Sequence, residues 1–232
     1  MSHLLDRPIW STLNTHHSKF AIGGKGARRF APNISPLASA CDDSSESLME
    51  LAELVPIVGT LILLQVDPIV VPPGVDALTT ATGVQMVLDH LTPVADVTCQ
   101  EQIQRLTDDD IPAMLELAIL TKPGPFETGT SSLGEFCGIK RDGQLVAMAG
   151  ERMKMPGYSE VSGVCSHPSA RGRGYARVLS ATVAKRIVAR GDIPFLHAYA
   201  ANTAAIQLYE TLGFSIRCNV NVAVLSRSPG QN

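Results

Sequence analysis

The stretch Val161-Ser-Gly-Val-Cys-Ser-His-Pro168, continued by Ser169-Ala-Arg-Gly-Arg-Gly-Tyr-Ala176, has the residue types and spacing of a phosphate-binding turn. A strand-like run leads into a Gly-rich turn, and the turn opens a long amphipathic helix. The first backbone N–H groups of such a helix have no intrahelical partners and face outward, where phosphate oxygens can accept from them. Arg171 and Arg173 add charge, while Gly172 and Gly174 let the backbone approach a ligand closely. A Walker loop does not fit, because Gly174 is followed by Tyr175-Ala176 and not by Lys-Ser/Thr. A dinucleotide fingerprint does not fit either: Arg177 stands where its third glycine or alanine belongs, and the loop lies deep in the chain. The pattern that remains is Arg/Gln-x-x-Gly-x-Gly/Ala, met by Arg171, Gly174 and Ala176.

A second motif follows in the right order. After Ile193-Pro-Phe-Leu-His-Ala-Tyr199 comes Asn-x-x-Ala-x-x-x-Tyr-x-x-x-Gly-Phe, carried by Asn202, Ala205, Tyr209, Gly213 and Phe214. Together the two motifs resemble the GNAT superfamily of N-acetyltransferases, over the part of the chain from about Gln104 onward. The resemblance implies an α/β fold with a mixed, mostly antiparallel central sheet. It implies acetyl-coenzyme A as acyl donor, a primary amine as acceptor, direct transfer in a ternary complex, and no metal. Two rivals share these motifs: a coenzyme A-binding regulatory module without turnover, and an acyltransferase using a longer acyl-coenzyme A.

Acetyl transfer from a thioester to an amine requires the donor to be held, its carbonyl polarised, the amine deprotonated and the thiolate protonated. By the resemblance and the helix-start argument, holding falls to Arg171, Gly172, Arg173, Gly174, Tyr175 and Ala176, with Asn202, Ala205 and Tyr209 from the second motif. By the resemblance, polarisation comes from main-chain N–H groups where the preceding strand splays, at Val164, Cys165 and Ser166. Tyr209 is the candidate general acid, since a phenol with a pKa near 10 suits a departing thiolate. Asn202 either ties the helix start to the splayed strand or simply caps the helix. Glu160 is the first choice for the base, because strict alternation puts it on the face of Ser162, Val164 and Ser166. His167 and Glu151 are runners-up, and a water chain would make any single base dispensable. Cys165 has no visible base beside it, which argues against a covalent acetyl-enzyme. His197 reads as a core histidine with satisfied nitrogens.

The elements that must position these residues are plainest in the second half. Thr107-Asp-Asp-Asp110 starts a helix through Met114, Leu117 and Ala118. The loop Thr121–Thr130 belongs near the acceptor. Arg141-Asp-Gly143 joins two strands as a hairpin turn, and a third strand runs from Ser159 to Ser166. Leu179, Val183 and Ile187 give the next helix a core stripe, ended by Gly191. In residues 1–95, helices are expected from Pro8 and after Asp42-Asp-Ser-Ser45, and strands at Thr60–Leu64 and Val84–Leu88. We therefore expect a smaller α/β region at 1–95, whose element order permits a degenerate GNAT-like half, and an acetyltransferase domain at 96–232. The first region would shape or cover the acceptor cleft. The apolar strand Asn219–Leu225 is expected to offer an edge for a homodimer.

Composition frames these readings. The chain has 232 residues, 45% apolar and 18% charged, with a net charge of −3, so nothing calls for nucleic acid. Five scattered cysteines without a C-x-x-C pair favour reduced thiols and a cytoplasmic protein over a disulfide or zinc framework. No signal peptide is read at the start. The most apolar stretch, Val55 to Val75, is broken by Gln65, Asp67 and four prolines, so no membrane span is expected.

Overall fold

The computed structural model describes residues 3–94 and 102–229. The first helix, α1 (Pro8–Leu13), starts on a proline, whose missing N–H costs nothing in a first turn. Three short strands follow, β1 (Ala21–Gly23), β2 (Ala27–Phe30) and β3 (Ala38–Ala40), in an antiparallel sheet of their own. Helix α2 (Ser45–Leu54) is capped by Ser44, whose hydroxyl accepts from the Ser47 amide. Strands β4 (Leu61–Gln65) and β5 (Val75–Leu88) close the first half.

The second half opens with β6 (Ile103–Arg105), then a capping box between Thr107 and Asp110 that leads into α3 (Ile111–Thr121). Strands β7 (Phe136–Arg141) and β8 (Gln144–Met155) form the expected hairpin. Asp142 and Gly143, at φ 50° and 79°, supply the two left-handed residues that a type I′ turn demands. Then come β9 (Tyr158–Ser166), α4 (Tyr175–Ala189), β10 (Ile193–Tyr199), α5 (Thr203–Thr211) and β11 (Phe214–Arg227).

Eight of these strands form one sheet in the order β4-β11-β5-β10-β9-β8-β7-β6. Every pairing in it is antiparallel except β9 with β10. The sheet crosses the expected division between residues 95 and 96, which lies outside the described residues. Strand β5, from the first half, is hydrogen-bonded on one side to β10 and on the other to β11. The first half repeats the strand–loop–helix–strand order of the second in β3, α2 and β4, with a parallel bridge between Leu37 and Ile62. It contributes two strands to the shared sheet and packs its helices and small sheet around them. Strand β11 is likewise interior, between β4 and β5. The expectation of a dimer edge at Asn219–Leu225 is corrected accordingly, since Asn221–Leu225 are paired with β4 on one side and β5 on the other.

Two faces result. On one, α4 and α5 cover Val84, Met86, Val161 and Leu196, with Leu179, Val183 and Ile187 pointing in from α4. Burying each such side chain stabilises the fold by about 1.5–3 kcal/mol. On the other face, α1 packs against Met153, Met155 and Phe195, and α3 against Met148 and Cys165. No helix among the described residues is long and apolar enough to cross a membrane.

Candidate functional site

The site begins where the sheet comes apart. The parallel pairing of β9 with β10 stops at Phe195 opposite Glu160. Beyond it, β9 stays with β8 as far as Ser166 opposite Ala147, while β10 stays with β5 as far as Tyr199 opposite Gly83. The two strands diverge, and their facing main-chain groups no longer pair with each other. A bulge accompanies the split: Met148 and Gly150 of β8 face Cys165 and Ser162 of β9, leaving an extra residue at Gly163–Val164. Gly163 sits at φ 63°, a left-handed position suited to glycine.

This bulge corrects the expected facing of Glu160. Val161 and Val164, an odd and an even residue, both pack toward α4. Alternation is reset between them, so Glu160 lies on the face opposite Val164. A second bulge, between Glu151 opposite Val161 and Lys154 opposite Ser159, turns Arg152 and Met153 toward the same side as Glu160.

A cleft of about 860 Å³ runs through the gap. On the α4 side it is lined by Val164, Cys165, Ser166, Arg171, Gly172, Gly174, Tyr175 and Ala176. Asn202, Ala205 and Tyr209 from the second motif line it too, so nearly all the expected donor-binding residues come together. Arg173 is exposed and does not line the cleft. Gly174 caps α4 in a left-handed conformation at φ 77°, with no side chain satisfying the first-turn amides. Gly172 has the same φ, and a Cβ at either position would meet nothing within 4 Å. The turn lines the cleft, and Arg171 and Arg177 line it beside the glycines. Arg177 Nε is a buried donor without a partner. This donor set fits a polyanionic phosphate ligand.

Three side chains here have defined chemistry. The Asn202 Oδ1 accepts from the Ala205 amide at 3.2 Å, so Asn202 is a helix cap that also faces the cleft. The Tyr209 hydroxyl is pushed up to about 12, by burial and then by the charge of Glu160, and stays protonated at neutral pH. Burial pushes the Cys165 thiol up to about 11, so it is protonated as well and a poor nucleophile.

The other end of the cleft lies on the α1 side and is lined by Leu37, Ile62 and Leu64 from the first half, with Val220, Val222, Arg152 and His197. Behind it lies a buried polar chain. Arg152 Nε and Nη2 donate to the two oxygens of Glu160, at 2.8 and 2.7 Å. The Met153 amide donates to the same carboxylate at 3.3 Å. His197 Nδ1 lies 2.8 Å from Glu160 Oε1, and its Nε2 lies 3.0 Å from Gln85 Nε2. The Gln85 amide nitrogen also donates to the Leu5 carbonyl, and its oxygen accepts from Arg217. Gln85 Nε2 being a donor, His197 accepts there and donates from Nδ1 to Glu160.

Glu160 is thus not placed to act as a base. It is 1% exposed and does not line the cleft. Burial would raise its pKa, but Arg152 and then His197 outweigh burial and hold it down at about 2. Its oxygens already accept four hydrogen bonds. His197 is satisfied at both nitrogens, as expected, although its ring lines the cleft. The runners-up lie elsewhere: Glu151 is paired with Lys154 and Arg190 at the far end of α4, and His167 is bonded to Ser169 outside the cleft. Sequence reasoning missed Arg152 and Gln85, whose role depends on cross-strand register. The described residues contain no cluster of three or more His, Cys, Asp or Glu able to hold a metal.

Known proteins share this fold. A family model described as FR47-like protein matches residues 136–222. An acetyltransferase assigned to the GNAT family from Novosphingobium aromaticivorans is 39% identical, over 98% of this chain and 100% of that one, with a TM-score of 0.91. A GCN5-related N-acetyltransferase from Kribbella flavida shares the fold at 17% identity, over 100% and 98% of the two chains, with a TM-score of 0.67. A GCN5-related N-acetyltransferase-like protein from Streptococcus suis does so at 17% identity, over 90% and 82%, with a TM-score of 0.56. No curated protein matches.

Proposed function

This chain belongs to the GNAT family of acetyltransferases, and from that premise we propose that it transfers acetyl from acetyl-coenzyme A to a primary amine in a ternary complex. The observation that carries the reading is the uncapped start of α4, which opens onto a cleft continuing through the split between β9 and β10. Acetyl-coenzyme A supplies an activated acetyl thioester. The amides of Gly172–Ala176, with Arg171 and Arg177, hold its phosphates. In this reading main-chain N–H groups within Val164–Ser166, on the split strand, donate to the thioester oxygen. Such preorganised donors typically contribute about 3–4 kcal/mol each. Tyr209 holds its proton at Oη until a thiolate needs it, and its raised pKa ensures that the proton is present.

Among the described residues no carboxylate lines the cleft, whereas Lys122, Arg152, Arg171 and Arg177 do. Cations next to an amine disfavour its ammonium form, so the lining itself promotes the neutral nucleophile. In this reading the amine loses its proton to water, without a side-chain base. The test is thiol release from acetyl-coenzyme A as a function of pH. Release should require an amine, and the midpoint of the kcat/KM profile should move with the pKa of the amine chosen. A midpoint fixed across amines would show a protein base instead. No amine-dependent release by folded protein would favour a coenzyme A-binding module without turnover.

A further inference from the structure

The end of the cleft beyond the split contains two features to which the acyl-transfer reading assigns no direct contact. The first is Arg152, whose side chain is 11% exposed. Two of its nitrogens are committed to Glu160, while Nη1 has no partner among the described residues. Arg152 lines the cleft, so this donor is accessible from it, and a fixed guanidinium N–H facing an enclosed cleft suits a carboxylate oxygen. Glu160 cannot turn to meet it, being held as well by His197 and the Met153 amide. The second is the wall opposite: Leu37, Ile62, Leu64, Val220 and Val222 line the same end.

Charge sharpens the choice of ligand. Acceptors that carry several amines, such as polyamines or lysine-rich segments, need carboxylates to receive their remaining cations. None of the described residues lining this cleft is Asp or Glu. Lys122, exposed on the loop after α3, adds a further positive charge at the rim.

Resting on the acyl-transfer reading, we infer that the acceptor is a small primary amine bearing a carboxylate and an apolar body, of which an apolar α-amino acid is the simplest case. Its carboxylate binds Arg152 Nη1, and its apolar part lies on the wall of β4 and β11. Arg152 is then a specificity-determining residue, and Glu160 fixes its orientation.

The test uses the full chain, acetyl-coenzyme A and four probes: leucine, leucinamide, 3-methylbutylamine and spermidine. Thiol release is measured and kcat/KM is expressed per free-amine fraction. A hydrogen bond to a charged group corresponds to about a 10- to 100-fold preference. Leucine should therefore exceed leucinamide and 3-methylbutylamine by at least about 10-fold, and spermidine by more. Arg152→Lys keeps a cation beside Glu160 but removes the fork, and should shrink the preference for leucine over leucinamide to within about 3-fold. Should that variant not fold, calorimetry on the unaltered protein replaces it, and N-acetylleucine should bind at least about 10-fold tighter than N-acetylleucinamide. Equal or better turnover of 3-methylbutylamine or spermidine overturns the inference and leaves acyl transfer standing. Failure of all four probes to release thiol counts against acyl transfer itself, and this inference then falls with it.

Discussion

The two ends of the cleft are built on opposite principles. On the α4 side the working groups are main-chain amides, exposed arginines and glycines, arranged by a turn of a few consecutive residues. On the α1 side they are buried side chains from β5, β8, β9 and β10, linked as Arg152–Glu160–His197–Gln85. The first end is local in sequence and nearly independent of the core. The second is part of the core, so its specificity and its stability cannot be separated. Donor binding can thus be altered without unfolding the protein, whereas changes at the acceptor end put the sheet at risk.

That contrast can be broken most forcefully at Glu160. Glu160→Ala leaves Arg152 buried without its counter-ion and should cost about 3–5 kcal/mol of stability in urea denaturation. Arg171→Ala, exposed at the other end, should change stability by less than about 0.5 kcal/mol. Comparable losses for the two variants would contradict the division. A smaller effect is expected from Tyr209→Phe, which removes only a proton donor. In thiol-release kinetics kcat should fall about 100-fold, with acetyl-coenzyme A affinity almost unchanged. Loss of affinity instead would mean that Tyr209 holds the donor by packing.

The mildest test is acid. His17, buried between α1 and β8, is pushed down to about 4, by burial and then by the charge of Lys154, while Glu160 is held at about 2. Both folded-state values lie below the ordinary 6.5 and 4.5, so the unfolded chain binds protons that the folded chain refuses. Stability is therefore full above pH 6.5, declines toward pH 4 through His17, and declines again from 4.5 toward 2 through Glu160. Denaturation followed across this range should show both declines, and His17→Gln should remove only the first.

The contrast also explains what could be read from the chain alone. Arg171, Gly174, Asn202 and Tyr209 lie in two short motifs, and the elements bearing them follow hydrophobic periodicity and turn chemistry. Each of these needs only neighbouring residues to be recognised. Strict alternation misplaces Glu160 because it ignores the bulge at Gly163–Val164, which only pairing with β8 reveals. Arg152 and Gln85 carry no local signal, since their partners are 8 and 112 residues away. Weakening periodicity suggests a boundary at residue 95, yet β5 threads between β10 and β11. Strand order of this kind is a long-range property of the chain, and periodicity does not encode it.

The central claim is that the open start of α4 holds the acyl donor for a cleft that crosses the sheet. It is met most directly by calorimetric titration with acetyl-coenzyme A of the protein and of an Arg171→Glu, Gly174→Glu double variant. The account predicts micromolar binding by the parent and at least a 100-fold loss in a variant that remains folded, because two carboxylates replace the space and charge meant for phosphates. Unchanged affinity in the folded variant, or no binding by the folded parent, would contradict it.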